Sequence, residues 1–76
     1  MKKAFEEKFL IMILADVRKI SNCEENSITK NYRNCYNYLN DIINTLGNTA
    51  SDWLLTELCI QKQFYQYRYL VNKGLL

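Results

Sequence analysis

Ile28-Thr-Lys-Asn-Tyr32-Arg-Asn-Cys35-Tyr-Asn-Tyr-Leu39-Asn-Asp-Ile42-Ile-Asn-Thr-Leu46 decides the fold of this 76-residue chain. Its apolar positions Ile28, Tyr32, Cys35, Leu39, Ile42 and Leu46 are spaced 4, 3, 4, 3 and 4 apart, a heptad stripe held for most of the segment. A helix with such a stripe packs lengthwise against another helix at a shallow angle. The positions behind it, Asn31, Asn34, Asn37, Asp41 and Asn44, are polar and are expected to face water.

Downstream, Gly47 stands where a left-handed C-terminal cap is wanted. Thr49 and Asp52 then mark a new start, an N-cap followed by a carboxylate in the first turn, where the helix dipole favours negative charge. The third helix should close at Gly74. It carries one apolar stripe of Ala50, Trp53, Ile60, Phe64, Tyr67 and Val71, interrupted by Glu57, and beside it a second of Leu54, Leu58, Tyr65 and Tyr69. The first stripe, with Trp53 as anchor, is expected to face the core. That leaves Tyr65, Arg68 and Tyr69 as the residues expected to meet a partner.

Upstream, Ser21 to Ser27 is a polar linker in which Ser21 and Glu24 have capping-box spacing. Before it, Phe9-Leu10-Ile11-Met12-Ile13-Leu14-Ala15 is apolar without interruption. At about 100° per residue these side chains point all round a helix, and such a helix needs cover on more than one side. Two neighbouring helices leave part of it bare, so Phe9, Met12 and Ile13 are expected to contact something outside the protomer.

The architecture expected is therefore all-α: a three-helix antiparallel bundle, or a helical hairpin with a third helix laid on it, completed by dimerisation. Residues 1–76 form a single helical domain with helices over about 3–20, 27–46 and 50–73, and the short linkers imply antiparallel neighbours. An isologous contact would cover the surplus apolar surface on the first and third helices of both copies at once.

Composition narrows the function. Ten basic against eight acidic residues give a net charge of +2, weak for a nucleic-acid binder, although no acidic residue follows Glu57 while Lys62, Arg68 and Lys73 do. There is no histidine, and Cys23, Cys35 and Cys59 match no Cys-x-x-Cys spacing, so neither a metal nor a cofactor is expected. Cys35 and Cys59 are read as small core residues and Cys23 as a loop thiol in a reducing compartment. Glu6-Glu7 and Glu24-Glu25 are read as solvated, and with no imidazole base and no glycine-rich phosphate loop no enzyme is expected. Met-Lys-Lys ahead of an apolar run has the outline of a secretory signal, but Glu6, Glu7 and Lys8 intervene and Asp16, Arg18 and Lys19 follow. The run is also far short of the roughly 20 residues that cross a bilayer, so a cytoplasmic protein without a membrane partner is expected.

The expected function is that of a small non-catalytic regulator, a homodimer that binds and inhibits another protein through Phe9, Met12, Ile13, Tyr65, Arg68 and Tyr69. One alternative is a nucleic-acid-binding module using Gln61 to Tyr69, where aromatics alternate with positive charge and could stack bases. Another is a phage or plasmid inhibitor or immunity protein that blocks an enzyme.

From Tyr32 to about Gln61, less than half of the chain, the sequence resembles the small bacterial negative regulators of AraC-type virulence activators. Tyr32, Cys35, Tyr36, Leu39 and Ile42 occupy the helical part of that pattern, with Asn48 in the turn and Trp53 after it. The chain departs from the pattern where Glu57 and Gln61 stand in place of an Arg and a Cys, with Cys59 out of register. The resemblance implies a small helical dimer that binds an activator protein and prevents DNA binding or activation without touching a promoter itself.

Overall fold

A computed structural model, describing residues 2–76, places three helices in order: α1 Lys3–Ser21, α2 Ile28–Leu46 and α3 Asp52–Asn72, with a 3₁₀ turn at Gly47–Thr49 between the last two. The chain is all-α, as its periodicities require. Cross-helix contacts fix the directions. Asn31, Cys35 and Tyr38 of α2 bond to Ser21, Val17 and Asp16 of α1, so α1 and α2 are antiparallel. Tyr32 lies 6.2 Å from Tyr65 and Asn40 accepts from Lys62, so α2 and α3 are antiparallel as well.

α2 is the middle helix. It packs along both α1 and α3, which touch each other only sparingly, and the body is flattened to Cα extents of 39 × 24 × 15 Å. The core is the seam through this layer: Ile13 and Val17 from α1, Cys35 and Leu39 from α2, and Ala50, Leu54 and Leu58 around the start of α3. Each outer helix has only one full neighbour, so only one stripe of each can be buried.

That geometry reverses the register expected for α3. Leu54 and Leu58 are fully buried, whereas Trp53, Ile60, Phe64, Tyr67 and Val71 are exposed. Both stripes have helical spacing, but seating the Trp53 stripe in the core would draw the Glu57 carboxylate against apolar surface, which is costly without a partner charge. On α1, Ile13 belongs to the core at 3% exposure and is not free to meet another molecule. Ile28, first in the α2 stripe, is exposed, and Cys59 is only half-buried.

Asn31, expected to be solvated, is buried. Its amide donates to the carbonyls of Ser21 at 3.3 Å and Cys23 at 2.7 Å, satisfying two carbonyls that the end of α1 leaves without helical partners. Glu6 is likewise buried rather than solvated. Its Oε2 accepts the Ser51 backbone N–H at 2.8 Å, and its other oxygen accepts the Ser51 hydroxyl.

The helix ends follow from local chemistry. Ser27 caps α2, its Oγ accepting the Lys30 N–H at 3.1 Å. α3 is capped by Ser51, not Thr49: Ser51 Oγ accepts the Leu54 N–H at 3.2 Å, while the Thr49 hydroxyl donates to the Leu46 carbonyl. Thr49 is unavailable because it sits in the 3₁₀ turn that Gly47 initiates. Gly47 has φ +49° and ψ −127°, a positive φ open to glycine but not the left-handed helical value expected. At the far end Gly74, φ +75°, makes a Schellman cap, with Leu75 N–H donating to Leu70 O at 2.9 Å and Gly74 N–H to Val71 O at 3.0 Å.

Candidate functional site

Among the described residues two extended apolar surfaces stand out. The first follows from the width of the α1 run. With Ile13 and Val17 turned inward, Phe5 and Met12 lie about a quarter-turn away and are 60% and 53% exposed. Phe5, Lys8, Phe9 and Met12 form a shelf along α1, and Phe9 is shared with a groove of about 230 Å³ between α1 and α2, lined also by Tyr38, Asp41, Ile42 and Leu46. Shelf and groove are thus continuous through Phe9. Behind the groove the Tyr38 hydroxyl donates to Asp16 Oδ2 at 2.8 Å, and burial, with that hydrogen bond and charge, pushes the Tyr38 phenol up to about 12. The tyrosine is therefore neutral at ordinary pH and holds one wall of the groove in place.

The second surface is the exposed stripe of α3. Trp53, Glu57, Ile60, Phe64, Tyr67 and Val71 are spaced 4, 3, 4, 3 and 4 apart. Arg68 at its edge folds back so that its guanidinium sits over the Phe64 ring, 4.6 Å from its centre, a cation–π contact.

The six residues singled out from sequence do not form one surface. Phe9 and Met12 lie on the shelf, and Ile13 is in the core. Tyr65 packs against the core and Tyr32, where burial raises its phenol above the usual value, and Arg68 flanks the α3 stripe. Tyr69 lines a separate recess with Lys30, Arg33 and Lys73, its ring 6.0 Å from the Lys73 Nζ. The contributions of Ile42 and Leu46 to the groove are hidden in the α2 stripe, whose spacing is that of a fully engaged seam, and Tyr38 lies off that stripe. The exposure of the Trp53 stripe went unread because its spacing looks the same whether it faces in or out.

Among the described residues no group of three or more His, Cys, Asp or Glu is placed to hold a metal ion, and no helix is long and apolar enough to cross a membrane. Comparison with known protein families, characterised proteins and solved structures found no match to this chain.

Proposed function

We infer that this protein is a non-catalytic regulator that acts by binding another protein along the α1–α2 face. The observation that carries the reading is the continuous apolar shelf and groove, with Phe5 and Met12 more than half exposed beside a recess floored by Phe9, Ile42 and Leu46. A flanking helix with an apolar face is the natural occupant of such a groove, set in register by anchors at helical spacing. Lys8 and Asp41 at the rim offer charges of both signs for orientation. The resemblance over Tyr32 to Gln61 gives the target class to try first, an AraC-type transcription activator, which the protein would hold in a form unable to bind or activate DNA.

The test is capture of such an activator by the purified chain, comparing wild type with Met12→Glu and with Lys30→Glu as a control on the opposite end of α2. Capture by wild type and Lys30→Glu but not by Met12→Glu supports the reading. Equal capture by all three places the contact elsewhere.

A second reading draws on the recess that brings Lys30, Arg33 and Lys73 together beside Tyr69. Three cations and an aromatic ring suit a nucleic-acid backbone and base. Binding of a single-stranded oligonucleotide whose affinity falls steeply with salt, and is lost in Arg33→Ala, would favour it over the protein-binding reading.

A further inference from the structure

We propose that the exposed stripe on α3 is the seam of an antiparallel helix–helix contact with a second copy of this chain. This surface is distinct from the α1–α2 groove and does not depend on what that groove binds.

The spacing is the first observation. Trp53, Glu57, Ile60, Phe64, Tyr67 and Val71 follow a strict 4-3 alternation. An alternation averaging 3.5 residues keeps its face turned toward one partner helix along its whole length. α2 does not fill that role, because it is engaged by the Leu54–Leu58 stripe on another side of α3. Trp53, Ile60, Phe64, Tyr67 and Val71 are all left exposed.

Charge chooses the occupant and its direction. The first half of α3 carries Asp52 and Glu57 and no base, and the rest of the chain from Leu58 carries Lys62, Arg68 and Lys73 and no acid. Lys62 is turned toward α2, where it donates to Asn40 Oδ1 at 3.3 Å and lies over the Tyr36 ring. Lys73 is turned away too, into the recess it shares with Lys30, Arg33 and Tyr69, so Arg68 alone is left at the edge of the stripe. Parallel pairing of two copies would set Glu57 against Glu57 and Arg68 against Arg68. Antiparallel pairing about a two-fold axis midway between Ile60 and Phe64 sets each Glu57 beside Arg68 of the second copy. The same operation places Ile60 against Phe64 at the centre and Trp53 against Val71 at both ends. Large faces large only at the axis, where the Arg68 guanidinium borders Phe64 on the side toward the second copy's Glu57. A self-complementary surface of this kind is what a two-fold contact requires. One helix per copy makes a small interface, so dissociation on the order of micromolar is expected.

The experiment is light scattering and sedimentation equilibrium on the full chain across the micromolar range, with Phe64→Glu, Glu57→Arg and Arg68→Glu variants. The expected result is a monomer–dimer equilibrium whose dissociation constant rises roughly thirtyfold or more in Phe64→Glu, the effect of losing a central anchor. Glu57→Arg and Arg68→Glu should each weaken self-association, and mixing the two should restore dimers, because the mixed pair regains opposite charges at both contacts. Single-chain mass for wild type throughout that range overturns the proposal, as does a dimer that all three variants leave unchanged. Should Phe64→Glu lose helicity, the exposed charge variants carry the test alone. A dimer that survives Met12→Glu while target capture fails separates this contact from the proposed α1–α2 function.

Discussion

Glu6 of α1 completes the N-terminal cap of α3 through Ser51, accepting both its backbone N–H and its hydroxyl. In an ordinary capping box the residue three past the cap supplies a Glu or Gln that reaches back to the cap N–H. Here that position is Leu54, which is committed to the core, and a carboxylate from another helix does the work. The negative charge also lies at the positive end of the α3 dipole.

The Ser51 hydrogen bonds hold the Glu6 carboxyl below its ordinary value of 4.5. A depressed folded-state value means that the stability it confers is complete above pH 4.5 and is lost as pH falls through the lower, folded value. Acid unfolding followed by circular dichroism should therefore be less steep below pH 4.5 in Glu6→Gln, which should also be less stable at neutral pH. Ser51→Ala should cost about 0.5–2 kcal/mol as a lost cap. The two changes should be non-additive in a double-mutant cycle.

Ile11 and Ile13 are neighbours in sequence with opposite fates. Ile13 is 3% exposed and Ile11 68%. Ile13→Glu should abolish the cooperative thermal transition, because a buried carboxylate has no partner there. Ile11→Glu should melt within about 0.5 kcal/mol of wild type, as surface changes do.

Leu39 and Leu58 are fully buried on facing helices. Truncating either to alanine should cost about 2–5 kcal/mol in chemical denaturation. Since a core of this size supplies only roughly 3–5 kcal/mol in total, either variant should be largely unfolded at 37 °C.

Cys35 is fully buried, its Sγ donates to the Val17 carbonyl at 3.4 Å, and burial pushes its thiol up to about 11. Cys23 and Cys59 are partly exposed. A disulfide reagent at pH 8 should modify two thiols in the native protein and the third only at the rate of unfolding. Rapid modification of all three would mean that the α1–α2 seam opens easily.

Tyr38 runs the linkage in the opposite direction from Glu6. Its phenol is raised from 10 to about 12 by burial and by Asp16, so the stability it contributes is complete below pH 10 and is lost as pH rises through about 12. Ultraviolet titration should show late-titrating phenolate absorbance that falls by one tyrosine in Tyr38→Phe, the raised Tyr65 phenol remaining.

The number, type and order of the helices were legible because α2 and the glycines leave little choice: a heptad stripe without proline, bounded by Ser27 and Gly47, admits one reading. What the residues could not reveal was which stripe of α3 turns inward. Leu54–Leu58 and Trp53–Ile60 have equal periodicity, and only the placement of α2 between two outer helices limits each to one buried face. Glu6 and Asn31 were misread for a related reason. A polar residue on a helix is normally solvated, and their burial depends on donors and carbonyls at the ends of other helices, which no local pattern announces. Phe9 and Met12 were legible as surplus apolar surface, but the groove they join takes its other wall from α2.

Asn31 has a consequence for alignment. An apolar stripe that repeats every seven residues can slide along its neighbour by one repeat and still bury greasy side chains. The Asn31 amide meets the carbonyls of Ser21 and Cys23 in one alignment only, and any slide would strand it. Exchange for leucine should leave the protein as helical as before, yet broaden its amide spectrum into several slowly exchanging forms, because the pin that selects a single alignment of α2 on α1 is gone.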